Sequence, residues 1–445
     1  MKSEPQPPAF APKREISRFR IALRALRHRN YRLFFAGQLV SLIGTWMQTV
    51  AQSWLVYRLT GSSFLLGSVG FASQIPVFLL ALVGGTVADR HNRHRVIIGT
   101  QTSAMLLAFI LSILTLTKII QVWHIFVLSA LLGVVNAFDM PTRQAFVVEM
   151  VGKEDLMNAI ALNSSMFNSA RVLGPAIAGV VVASIGEGWC FFANGVSYIA
   201  VIVGLLLMNV SVQRRPARSS SPLSNILEGF SFVRRTRPIR VLLLLLGLVS
   251  VVGMPYSVLM PIFADQILHG GARGLGILMG ASGLGALIGA LSLAARSEVQ
   301  GLGRLVGYSC AGFSCSLMLF SVSRSFWLSA LFLIPAGFSL MVQMASSNTL
   351  VQMVVPDHLR GRVMALHAMM FMGMAPFGAF LGGVVAERLG APLTISFGAI
   401  GCLLGSIVFI GQLPGLGMTS RQIAVTQGIP GGASQDKVSL RDLDD

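Results

Sequence analysis

The sequence predicts an all-α membrane protein in which twelve transmembrane helices form two pseudo-symmetric six-helix bundles. Three observations predict it. Of 445 residues, 54% are hydrophobic and only 11% charged, whereas soluble domains carry about 25% charged residues to keep their surface wet. Twelve stretches reach the roughly 20 mostly apolar residues that a helix needs to cross hydrocarbon. The second half of the chain also repeats part of the first.

The twelve stretches run approximately 32–57, 63–87, 96–117, 122–142, 158–183 and 188–210, then 241–266, 273–295, 303–322, 327–350, 363–387 and 392–413. Backbone polar groups in lipid must be satisfied within their own segment, so these are helices rather than open strands. Shifting the chain by 204 residues brings Ala161, Leu162, Met166, Phe167, Gly174, Gly179, Val180, Val181 and Gly186 onto identical residues at 365, 366, 370, 371, 378, 383, 384, 385 and 390. Helix five therefore corresponds to helix eleven. The halves are 31–210 and 241–413. Between them, 211–240 reads as a cytoplasmic linker with an amphipathic helix over Leu223–Val233. Residues 1–30 and 414–445 are cytoplasmic extensions. The basic stretch from Ile16 to Arg29 reads either as a helix lying on anionic lipid headgroups or as a partly disordered tail.

The formal charge is +17, from 34 Lys+Arg and 17 Asp+Glu. With both termini inside, 28 of the 34 positives fall on the cytoplasmic side and five outside, with Arg171 alone within a helix. That is the asymmetry of an inner-membrane protein, and it accounts for the charge without a nucleic-acid partner. The four cysteines lie in apolar segments and none forms a CxxC pair, so neither a metal site nor a disulfide framework is expected. No cleavable signal peptide is read, and no HExxH or GxSxG marks an enzyme. A transporter is expected, with no cofactor or metal, a small-molecule substrate, lipid neighbours and a monomeric state.

Several groups of residues carry the mechanism. Gly85-Thr-Val-Ala-Asp89-Arg90-His-Asn-Arg93-His94 follows helix two. Glycine lets helices approach closely, Asp89 suits a neighbouring helix N-terminus, and Arg90 and Arg93 can pair with carboxylates when a gate closes. Near the end of helix four, Asp139 and Arg143 stand i,i+4; pairing with each other, or of Asp139 with Arg93, would offset burial. Asp139 could also carry a proton. Helix five aligns Ser164, Asn168, Arg171 and Pro175 on one face, with Arg171 near mid-membrane, where a charge needs a cavity or a partner. Gln48 and Gln52 in helix one, Asn136 in helix four, Tyr256 in helix seven and Gln343 in helix ten complete the substrate or coupling candidates, each also readable as ordinary helix packing. Gly174, Pro175 and Gly179, with Pro376 and Gly378 in helix eleven, are candidates for helix kinks.

The Gly85–His94 segment resembles the major facilitator signature G-x-x-x-D-R-x-x-R-[KR], departing at His94. Gly174-Pro175 resembles the antiporter motif of facilitator exporters. Arg29-Asn-Tyr-Arg-Leu-Phe-Phe-Ala-Gly-Gln38, Gly44-Thr-Trp-Met-Gln48, Trp54–Ser62, Pro141-Thr-Arg-Gln-Ala145 and Val355–Val363 are similar to the enterobactin-exporter branch, also called transmembrane secretion effectors. The resemblance spans roughly 25–413. It implies export of siderophores or drug-like molecules by proton antiport with alternating access; an importer or lipid flippase of the same fold is the alternative. The arginine that many drug–proton antiporters carry in helix four has no match in Leu131-Leu-Gly-Val-Val-Asn136.

Overall fold

The computed structural model describes residues 23–152, 154–209, 222–296 and 301–426, with side chains for all of these except 222–227, 357 and 413–426. Twelve helices are long and apolar enough to cross a membrane. They are α1 (Arg29–Thr60), α2 (Ser63–Arg90), α3 (Arg93–Leu116), α4 (Val122–Val151), α5 (Leu156–Ile185), α6 (Glu187–Leu206), α7 (Arg237–Ile267), α8 (Gly271–Ala294), α9 (Leu302–Val322), α10 (Phe326–Val354), α11 (His358–Leu389) and α12 (Ala391–Gln412). A linker helix, Pro222–Arg235, precedes α7. The basic stretch from Ile16 falls mostly outside the described residues, although Arg24–Arg27 form one 3₁₀ turn.

Local chemistry sets the ends of these helices. Gly61 closes α1 at φ +63°, a left-handed conformation that glycine adopts at little cost. Ser62 and Asn92 cap α2 and α3 by accepting from the N–H groups of Leu65 and Arg95, both at 3.2 Å. The repeat is visible in the turns as well. Gly186 and Gly390, related by the 204-residue shift, both have positive φ, at +94° and +82°.

Prolines shape two of the spans. In α7, a π turn at Val249–Gly253 precedes Pro255; in α11, one at Met369–Gly373 precedes Pro376. A proline lacks the N–H and crowds the preceding carbonyl, and the wider turn accommodates both losses. By contrast, α5 runs unbroken as α-helix through Gly174 and Pro175.

Each half is a six-helix bundle. The face carrying the start of α1 and the end of α12 is here called the near face, and the opposite one the far face. Contacts between halves obey the repeat. Gly179 of α5 meets Gly276 of α8, where an added Cβ would stand 2.9 Å from a Cα; Gly383 of α11 meets Gly67 of α2 at the same 2.9 Å. One continuous apolar core runs from Leu55, Val69 and Ile125 into the C-terminal half at Phe313 and Phe320. A separate core, containing Tyr31, Phe34, Ile97 and Phe146, fills the near end of the N-terminal half.

Candidate substrate pathway and gates

At the far face, the halves are joined by side chains as well as glycines. The Tyr57 hydroxyl of α1 donates to Asp265 of α7 at 2.7 Å. Glu387 of α11 accepts from the Ser62 hydroxyl at 3.1 Å and the Phe64 N–H at 3.0 Å, at the start of α2. Carboxylates are favoured there because the first turn leaves its N–H groups unpaired. Deeper along the same two helices, toward their middle, Phe71 and Phe78 of α2 pack edgewise on Phe377 of α11 at 6.1 and 5.8 Å between ring centroids.

Toward the near face, the facing sides of α5 and α8 become exposed. On α5, the face that buries Gly179 and Pro175 against α8 carries exposed Ser164 and Ala161 further down. On α8, the face that carries Gly280 continues through half-buried Leu287 to exposed Ala294. The glycine crossing nearest the near face along this seam is at Arg171, whose backbone carbonyl would stand 2.7 Å from a Cβ on Gly283. Glycine crossings join α5 and α8 as far down as Arg171, and below it the facing positions Ser164, Ala161 and Ala294 are exposed.

Arg171 projects between α1 and α8. Gly174, 300° further round the helix, faces Trp46, Ile43 and Met47 of α1, whereas Pro175 and Gly179 face α8. The Arg171 guanidinium carbon lies 6.0 Å from the Trp46 ring centroid, within cation–π range. Trp46 in turn meets Phe167 edge-on at 5.7 Å. Among the described residues, no carboxylate pairs with Arg171.

The signature segment forms a network within the N-terminal half. Arg93 donates to Glu149 of α4 at 2.7 Å, to Asp89 at 3.3 Å and to the Ala88 carbonyl at 2.9 Å. Asp89 and Arg90 are exposed, and Gly85 has open space at its Cβ position. Asp139 takes the first of its two alternatives, pairing with Arg143 at 2.7 Å. It also accepts from Thr100 at 2.8 Å and Gln101 at 2.9 Å, so a nearly inaccessible carboxylate meets three donors. His94, at the position where the motif departs, bonds the Leu205 carbonyl at 2.8 Å.

The remaining candidates divide by environment. Gln48 is buried and accepts from Asn194 of α6 at 2.7 Å. Gln52 donates to Ser129 of α4 at 2.9 Å. Asn136 is half-buried and lies seven residues from both Ser129 and Arg143, on their face of α4. Asn168 is buried and donates to the Ser164 carbonyl at 2.8 Å. Tyr256 is buried, bonds Ser282 of α8 at 3.0 Å and packs on Phe313 of α9. Gln343 is buried one turn beyond Ser339, which touches Gly312 of α9. Gln48, Tyr256 and Gln343 thus pack inside single halves, away from the seam. Gly378, the counterpart of Gly174, faces the Ser250 and Val251 backbone of α7, directly after Pro376.

Sequence reading missed Glu149, Tyr57, Glu387, Thr100 and Gln101. Glu149 lies beyond the apolar run that marked helix four, in helix that continues to Val151. For the cross-half partners, no local pattern announces the contact.

On the near face, Asp155 joins the segment before α1 to the start of α5. It pairs with Arg24 at 3.0 Å, Arg27 at 2.8 Å and the His28 ring at 2.7 Å. The His28 hydrogen bond, with Arg24 and Arg27 beside it, holds the Asp155 carboxyl below its ordinary range.

A family profile described as transmembrane secretion effector matches residues 21–423. The staphyloferrin A transporter of Staphylococcus aureus is 27% identical, over 84% of this chain and 94% of its own length. The enterobactin exporter EntS of Escherichia coli O1:K1 / APEC is 26% identical, over 81% and 86%. Among solved structures, an inward-facing bacterial homologue of the iron transporter ferroportin superimposes with a TM-score of 0.65 at 16% identity, over 86% of this chain and 98% of that one.

Proposed function

The chain belongs to the transmembrane secretion effector family of the major facilitator superfamily, and on that premise we propose that it exports a small amphipathic molecule, a siderophore or drug-like compound, by alternating access. It is a transporter rather than an enzyme, and a multi-pass protein of the bacterial inner membrane. In this reading the near face is cytoplasmic, because the sequence topology assigns 28 of the 34 Lys and Arg residues to the side of the chain termini.

The observation that carries the proposal is the one-sided contact between halves. Tyr57–Asp265, Glu387 with Ser62 and Phe64, and the paired glycine crossings lie in the far half, while below Arg171 the facing positions of α5 and α8 are exposed. A protein in this state can accept solute from the near side, which is where an exporter loads. Rocking of the two bundles about the central seam would break the far contacts and close the near ones. The exposed Asp89 and the Arg93 network stand where that closure would occur. Proton antiport is the proposed driving force, the protein acts as a monomer among lipids, and no cofactor is needed.

Vesicles of opposite orientation test direction. Everted membrane vesicles from cells overproducing the protein should accumulate metabolites from spent medium that a deletion strain no longer secretes. Right-side-out vesicles should not. Accumulation should cease when the pH gradient is collapsed; loss on collapsing only the membrane potential would refute proton coupling, and uptake by right-side-out vesicles alone would refute export.

A further inference from the structure

We propose that Arg171, with Trp46 and Phe167, forms a subsite for an acidic group, so that the transported molecule is an amphipathic organic anion. This rests on the transporter reading and names its substrate class. The argument begins with depth. Arg171 is the sixteenth residue of a 30-residue helix, about 22 Å from its start at 1.5 Å per residue. That is too deep for a lipid headgroup to neutralise it.

Among the described residues, the acids of the membrane-spanning helices are engaged elsewhere. Asp139 pairs with Arg143, Glu149 with Arg93 and Glu187 with Arg58; Asp265 accepts from Tyr57, and Glu387 caps α2. A guanidinium at mid-membrane is costly unless water or a counter-charge reaches it. Here it stands at the glycine crossing nearest the near face, below which the facing positions of α5 and α8 are exposed, so a solute entering from that side would meet it. Its planar fork of donors matches a carboxylate or sulfonate with two parallel hydrogen bonds.

The aromatic neighbours define the rest of the ligand. Trp46 flanks the guanidinium, and Phe167, one turn nearer the open side, leaves 47% of its surface exposed. An apolar or aromatic body could lie along Trp46 and Phe167 while its acid reaches Arg171. An organic cation in the same place would be repelled, because a charge pair at short range in a low-dielectric site is felt strongly.

A matched pair of dyes tests this on the full-length protein in nanodiscs. The anion 8-anilinonaphthalene-1-sulfonate and neutral N-phenyl-1-naphthylamine differ by the sulfonate, and empty nanodiscs correct for lipid uptake. The ratio of anionic to neutral affinity should fall roughly tenfold in R171Q, the scale of one charge-assisted pair. R171K should restore part of it, and ethidium should bind R171Q more tightly than wild type. Unchanged neutral-dye binding in R171Q reports an intact fold. An unchanged affinity ratio, or no saturable binding of the anionic dye to the wild type, would overturn the proposal. The vesicle assay keeps the two readings apart: accumulation with an unchanged ratio leaves transport standing and removes the anion subsite, and a shifted ratio without accumulation does the reverse.

Discussion

Glu387 and Phe64 belong to opposite halves, yet the carboxylate of Glu387 accepts the Phe64 backbone N–H at 3.0 Å. The C-terminal half thereby supplies a second capping acceptor, beside Ser62, to a helix of the N-terminal half. Such caps contribute about 1 kcal/mol, present here only while the far face is closed. Glu387→Ala should therefore move the conformational balance toward far-side opening by roughly fivefold, the Boltzmann factor of that energy. Labelling of a cysteine placed in the far half of the seam measures it, and an unchanged labelling rate would show that the cap is not a latch.

Glycine contacts set a harder limit. A Cβ at Gly67 would stand 2.5 Å from the Ala379 carbonyl oxygen, and one at Gly276 2.5 Å from the Pro175 carbonyl oxygen. These are backbone atoms that no rotamer can move aside. Gly67→Val should leave each half folded but prevent far-face closure, with transport falling more than tenfold because a closed state costing over about 1.4 kcal/mol extra is populated less than a tenth as often. Normal transport with normal expression would contradict this role.

Asp139 acts as an anchor in this structure. Its three donors, Thr100, Gln101 and Arg143, already satisfy it. Removing the carboxylate leaves Arg143 largely buried without its partner. Asp139→Ala should thus cost about 3 kcal/mol, the lower end for breaking a buried pair. Asp139→Asn should lower thermal stability while retaining proton-driven transport per folded molecule. Loss of coupled transport in Asp139→Asn with solute exchange intact would instead make Asp139 a proton carrier.

The contact of Asp155 with Arg24, Arg27 and His28 predicts a pH dependence. The folded-state carboxyl lies below its ordinary value, so its contribution is fully present above the unfolded value of about 3.9 and is lost as pH falls through the lower folded value. Protease cleavage near residues 24–28 should stay slow to about pH 4 and accelerate only below it. Acceleration well above pH 4 would exclude the carboxylate as the tether.

Much of the fold was legible because hydrocarbon thickness imposes a length on every span, and because positions such as Gly174/Gly378 and Gly179/Gly383 kept their identity across the repeat. Those glycines do equivalent work, the first pair facing α1 and α7, the second making the crossings to α8 and α2. Helix ends were less legible. Apolar runs record where lipid begins, not where hydrogen bonding stops, so α4 outruns its predicted end by nine residues and carries Glu149. Among polar candidates, periodicity identified a face but not what it faces. Arg171 points into the seam, whereas Tyr256 and Gln343 point into the C-terminal bundle; both surroundings tolerate polar groups.

Distances across the α5–α8 seam test the central claim most directly. Spin labels at Ser165 and Ser292 report its near end, and labels at Ser184 and Arg273 its far end, all four sites being exposed. During turnover in proteoliposomes, shortening of the near distance should accompany lengthening of the far one. If both distributions stay fixed while solute crosses, the two bundles do not rock about this seam and the account fails.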